Sequence, residues 1–187
     1  MMVLRPPINK KKLGGRKVIL VTLHFFMKQN VTKFIALNAV IASLYVVLTM
    51  PFGIISTSAG FQFRPAEALT ILPSLMPYIT PGLAIGCAIS NMVSAFGIAD
   101  VVFGSLVTLT AGYLSSKTKN PWLAALPPIL LNAIFLPLVW LLAMGDIGYW
   151  INFASLLLTQ SAVIFGLGVP LHYIFKKRVM PLLKQKL

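Results

Sequence analysis

FQFRPAEALTILP, residues 61–73, sets an arginine and a glutamate three residues apart at the head of an apolar segment. The surrounding chain avoids charge. From Phe34 to Phe175 only six residues are formally charged: Arg64, Glu67, Asp100, Lys117, Lys119 and Asp146. Glu67 is the sole glutamate of the protein. Pro65 suits the first position of a helix, which makes Arg64 the flanking residue and Glu67 the third helical position. A carboxylate there meets unpaired backbone N–H groups and the positive end of the helix dipole. Against this capping reading stands a cost of about 2.5–3.5 kcal/mol for an ionisable group at the centre of a membrane helix, so such groups are retained for a task. Cap and ligand contact both stand as readings of Glu67, and a local Arg64–Glu67 ion pair is worth little if exposed.

The rest of the chain identifies the medium. With 58% hydrophobic and 10% charged residues and a mean hydropathy of +0.88, this is an integral membrane protein rather than a water-soluble domain. The net charge of +13 does not signal nucleic acid. Of the 16 Lys and Arg, eight precede Phe34 and five lie from Lys176 onward, while Lys117 and Lys119 share one loop. Basic residues confined to termini and one loop mark cytoplasmic segments, and no nucleic-acid-reading motif accompanies them. The single cysteine, Cys87, forms no intrachain disulfide and reads as a small apolar residue inside a span.

Apolar stretches of about 17 to 25 residues cross a bilayer as helices. They predict spans near 34–51, 65–78, 81–96, 99–116, 121–143 and 148–175, the second short and proline-rich. Six spans place both termini and the loop SSKTKNPW (115–122) in the cytoplasm. The segment 52–64 and the turns FGIAD (96–100) and MGDIG (144–148) then fall outside, with all three acids at or near that side. The expected fold is an all-α integral membrane protein of six transmembrane helices, a single domain over 27–187. Residues 1–26 form a basic extension. Their run VILVTLHFFM is too short to span and is followed by no small-residue cleavage site. It reads either as an interfacial segment or as sequence preceding a biological start at Met27.

Small residues recur every four positions: Gly82, Gly86, Ser90 and Ser94 in the third span, Gly104, Thr108, Gly112 and Ser116 in the fourth. Such faces let backbones approach closely in lipid, and packing within the chain is the plain reading. The first span carries Ala36, Ala39, Ala42 and Ser43, a face open to a partner helix. Prolines 73, 77 and 81 prevent one regular helix from passing through. They either end the second span and begin the third or mark broken backbone at a binding site.

No Walker A frame is present, so any ATP used in transport is hydrolysed by another chain. His24 and His172 stand apart from each other and from any cysteine or carboxylate cluster, and no metal or other cofactor is expected. No nucleophile signature occurs, and three acids provide little for acid–base chemistry; an enzyme is not expected. Within the spans, Asn91, Asn132 and Gln160 either tie helices together or contact a ligand. Trp140 and Trp150 flank the outer turn, as an aromatic belt or as walls of a pocket. Carboxylates, amides and aromatic faces together suit a planar heterocycle with N–H donors.

ALNAVIASLYVVLT (36–49), FQFRPAEALTILP (61–73) and PGLAIGCAISNMVSAFGIADVVFGSLVTLTAGYL (81–114) resemble the QueT family of membrane proteins. The resemblance is strongest from Lys33 to Lys117 and continues by layout beyond. It implies the substrate-binding S component of an energy-coupling factor (ECF) transporter for queuosine precursors, a six-helix bundle in a prokaryotic plasma membrane with both termini cytoplasmic. Implied partners are a coupling membrane subunit, two cytoplasmic ATPases, the lipid bilayer and a deazaguanine substrate. S components are similar in using an A-x-x-x-A face on the first helix toward the coupling subunit, and Ala39-x-x-x-Ser43 matches with serine in second place. The substrate contacts expected are Arg64, Glu67, Asn91, Asp100, Asn132, Trp140, Trp150 and Gln160. Glu67 or Asp100 would take the base's N–H donors, an amide would meet its carbonyl, and Arg64 would brace Glu67. An S component for another vitamin-like molecule, or a membrane assembly subunit without a ligand, are the alternatives.

Overall fold

The computed structural model describes residues 15–53, 62–145 and 148–181, with side chains from Val31 onward except that of Met144. The basic residues 1–14, most of the loop 52–64, and Asp146 lie outside the described residues. The chain divides into two units, Met1–Ala36 and Leu37–Leu187. The first contributes helical backbone from Gly15. The second contains the bundle.

Every element among the described residues is helical. Helix α1 (Gly15–Thr49) runs unbroken through KQNVTK, where the sequence offers neither proline nor glycine. Four helices are long and apolar enough to cross a membrane: Val31–Phe52 within and just after α1, α3 (Gly97–Ser115), α4 (Pro121–Met144, of which Pro121–Ala143 is the apolar part) and α5 (Tyr149–Val179). These four fall close to the expected first, fourth, fifth and sixth spans. The other two expected spans are shorter elements. One is α2 (Thr80–Asn91), and the other is a ten-residue 3₁₀ helix, Pro65–Ser74.

The 3₁₀ helix departs from the expected membrane α-helix for reasons the sequence contains. Pro73 has no N–H, and its ring clashes with the carbonyl four residues back in an α-helix. Thr70 and Ser74 donate their hydroxyls to the carbonyls of Glu67 and Ile71, each three residues back and each at 2.6 Å. A 3₁₀ helix is narrower and rises about 2.0 Å per residue, so ten residues cover about 20 Å. Every residue from Ala66 to Ser74 is buried. The polar side chains Glu67, Thr70 and Ser74 are all hydrogen-bonded, and the helix is packed by α2, α3, α4 and α5. Ile71 and Leu72 join Ile41, Tyr45, Leu83, Ile129 and Ile164 in the main core.

Both small-residue seams pack within the chain. A Cβ on Gly86 would stand 2.7 Å from the Tyr45 Cβ and 2.9 Å from the Ala42 carbonyl oxygen, so α2 lies directly on α1. Gly104 and Gly112 bring α3 as close to α2, against Asn91 and Thr80. The outer surface is apolar, with Ile98, Leu142 and Leu158 more than two-thirds exposed, while Asn38, Glu67, Asn91, Asp100, Asn132 and Gln160 are buried. Such a distribution suits a solvent of lipid and excludes bulk water.

Candidate functional site

One face of α1 turns inward at Asn38, Ile41, Ala42, Tyr45 and Thr49, the helical repeat of a packed stripe. Asn38 donates to the Tyr78 carbonyl at 2.9 Å and accepts from the Gly82 N–H at 2.6 Å, which clamps α1 to the start of α2. About two turns further on, Tyr45 is fully buried and donates its hydroxyl to Glu67 Oε1 at 2.6 Å. Asn132 of α4 donates Nδ2 to the other oxygen, Oε2, at 3.3 Å. The Glu67 carboxylate therefore bridges α1 and α4 through the 3₁₀ helix. At the helix start, Arg64 is extended (φ −118°, ψ 94°) and makes no side-chain cap, while its carbonyl accepts the Glu67 N–H at 3.0 Å.

Asp100 forms the second half of the cluster. It opens a π-helical turn, Asp100–Gly104, inside α3. Such turns often occur at functional sites. Its Oδ1 accepts the Trp140 indole N–H at 2.7 Å and its Oδ2 accepts the Ser94 hydroxyl at 2.5 Å. Asn91 reaches across from α2 and donates to the Asp100 carbonyl at 2.8 Å. Trp140 is completely buried and stacks on Phe96, centroids 4.3 Å apart and planes 8° from parallel. Arg64, itself 3% exposed, interacts electrostatically with both Glu67 and Asp100. A buried cation thus stands in the field of two buried carboxylates, and opposite charge offsets part of the cost of burying each.

The expected site residues separate into groups. Arg64, Glu67 and Asn132 join one another by hydrogen bond or charge; Asp100, Asn91 and Trp140 are joined likewise, with Arg64 common to both sets. Gln160 is buried on α5, and its Oε1 has no hydrogen-bond partner among the described residues; neither has Asn91 Oδ1. Trp150 is 78% exposed and packs only at the surface, edge-on to Tyr149 and Phe153. The two tryptophans therefore occupy opposite environments. Ala39 and Ser43 are exposed on the face of α1 turned away from the bundle.

Sequence reading missed Tyr45, Ser94 and Gln62. Tyr45 was legible as the one polar aromatic on the inward repeat of α1. Ser94 gave no local sign of its partner six residues on. Gln62 stood in the quoted stretch, and its burial depends on packing across the chain.

At the far end of the 3₁₀ helix, Ser74 Oγ lies 3.0 Å from His172 Nδ1. Ser74, Lys119 and Lys176 line one cleft of about 420 Å³ there. Lys119 of the basic loop and Lys176 of the basic C-terminal stretch consequently meet at one cleft, by the end of the 3₁₀ helix opposite to Arg64. Among the described residues no group of His, Cys, Asp and Glu is arranged to hold a metal.

The family model described as QueT transporter matches residues 35–177. Among curated proteins the chain is similar to the queuosine precursor transporter QueT of Lactococcus lactis subsp. cremoris (strain MG1363), 40% identical over 84 residues. That stretch covers 44% of this chain and 49% of the relative, about half of each. Both family and relative are described as transporters, not enzymes. No solved structure matches the chain.

Proposed function

The chain belongs to the QueT transporter family, and from that premise we propose that it is the substrate-binding membrane subunit of an ECF-type transporter importing a queuosine precursor. The observation that carries this reading is the buried Glu67 carboxylate, which among the described residues accepts one bond on each oxygen, from Tyr45 and Asn132, where a carboxylate has about four acceptor sites. A deazaguanine base presents a ring N–H and an exocyclic amino group side by side, a donor pair that a carboxylate accepts in parallel. Glu67 takes this pair. Arg64 holds the charge in place, and Asn132 and Tyr45 fix the carboxylate's orientation. Asp100, occupied by Trp140 and Ser94, braces the Trp140–Phe96 stack that walls the site. The open acceptors of Gln160 and Asn91 meet further N–H groups of the ligand. Trp150 anchors the outer end of α5 in the membrane interface.

In this reading residues 27–187 form one domain of six membrane segments in a prokaryotic plasma membrane, with both termini cytoplasmic. The exposed Ala39–Ser43 face meets a coupling membrane subunit, and two cytoplasmic ATPases supply the energy. The loaded subunit reorients when that assembly turns over.

Calorimetry on the purified chain tests the reading directly, with queuine and the aminomethyl-deazaguanine base as ligands and riboflavin, thiamine and guanine as controls. Saturable binding confined to the deazaguanines is expected. Glu67→Gln removes one acceptor and sets an amide against the ligand's donors, weakening binding by about 5- to 150-fold. Binding of a control vitamin would reassign the substrate. No binding by a folded sample would favour an assembly subunit.

A further inference from the structure

Gln62 is 1% exposed, and neither its Oε1 nor its Nε2 has a hydrogen-bond partner among the described residues. A primary amide buried with both ends unpaired is costly, the more so where no water replaces the missing bonds. Its setting is defined. Residues 62–64 form no helix, and Arg64 has extended backbone angles. Phe63, the middle residue, packs edge-on against Phe52 just after α1, centroids 5.6 Å apart. Gln62 stands two residues before Arg64, which is itself buried in the electrostatic field of Glu67 and Asp100.

The chemistry at that position differs from a carboxylate's. A carboxylate only accepts, whereas a carboxamide accepts and donates from two atoms separated by one carbon. A deazaguanine base has one edge with that pattern in complement. Its N3 acceptor and its N9–H donor flank C4, while the N1–H and amino donors lie on the edge assigned to Glu67. We propose that the Gln62 amide reads the N3/N9–H edge of the base and so selects the free base over its nucleoside, in which N9 carries a sugar. This rests on the deazaguanine reading above and adds a second recognition edge to it.

A cycle of protein and ligand variants tests the assignment. Calorimetry compares the aminomethyl-deazaguanine base with its N9-methyl derivative, on the wild-type chain and on Gln62→Met. The wild type is expected to prefer the parent base by about 5- to 150-fold. In Gln62→Met the parent weakens and the two ligands bind alike. Without ligand, Gln62→Met melts no lower than the wild type, because it removes two unpaired buried polar groups. The same preference in both proteins, or a ligand-free Gln62→Met that melts clearly lower, would overturn the assignment while leaving the deazaguanine reading intact. Wild-type protein that binds neither deazaguanine base nor queuine would overturn that reading, and the Gln62 assignment with it.

Discussion

Tyr45 supplies the shortest bond to the only glutamate of the protein, 2.6 Å from hydroxyl to carboxylate, with both groups buried. Removing one partner of such a pair exposes the asymmetry of hydrogen-bond energetics, because the remaining group keeps its desolvation cost. Tyr45→Phe is expected to destabilise the chain by about 1–3 kcal/mol, read as a lower melting temperature in detergent. Adding Glu67→Gln to it should cost less than the sum of the single changes, since the two groups form one network. Strict additivity would show that the bond contributes nothing. Asp100 illustrates a second point at this scale. Each of its oxygens accepts one protein donor, from Ser94 or Trp140, just as each oxygen of Glu67 accepts one from Tyr45 or Asn132. Trp140 lies forty residues away, so that partner could not be read from the sequence around Asp100.

Among elements, the 3₁₀ helix Pro65–Ser74 organises the bundle, and its neighbours close around it because glycines remove the side chains that would hold them apart. The α1–α2 contact is the tightest test. Gly86→Ala places a methyl 2.7 Å from the Tyr45 Cβ and 2.9 Å from the Ala42 carbonyl, and a backbone atom cannot rotate away. Destabilisation of about 1–3 kcal/mol is expected, with weaker ligand binding because Tyr45 is displaced from Glu67. Gly166→Ala, where an added Cβ meets nothing within 4 Å, should leave stability unchanged or raise it by up to about 1 kcal/mol. Thermal melts of the two variants should therefore shift differently. Equal shifts would remove the packing explanation of the glycine spacing. The spacing itself was readable from the sequence, and so was its use within the chain.

At the largest scale, Lys119 and Lys176 share a cleft with Ser74 at one end of the 3₁₀ helix, and the buried Arg64 stands at the start of that helix. The first span turns Ala39 and Ser43 outward, while Ala42 and Tyr45 on the same helix face the bundle. If the outward face meets a coupling subunit, Ala39→Leu should abolish co-purification with that subunit and leave precursor binding at the wild-type level. Intact assembly of the Ala39→Leu variant would discard the small-residue face as the contact.

Local pattern was enough to determine the membrane class, the four long spans and the close-packed glycine faces. Hydropathy, proline and small-residue spacing act over a few turns of chain and need no partner to be read. The polar residues within the spans were identifiable for the same reason, since each stands out against an apolar background. Tertiary structure alone decided what those residues do. It drew Pro65–Ser74 into a buried 3₁₀ helix, because a narrow element fits among four packed helices and Pro73 disfavours a regular α-helix. It also joined Glu67 to Tyr45 and Asn132, sent Trp140 inward and Trp150 outward, and left Gln62 buried without a partner among the described residues. These outcomes depend on groups 22, 40 and 65 residues apart in sequence. A hydrogen bond is set by distance and direction in space, and no periodicity along the chain encodes either at that range.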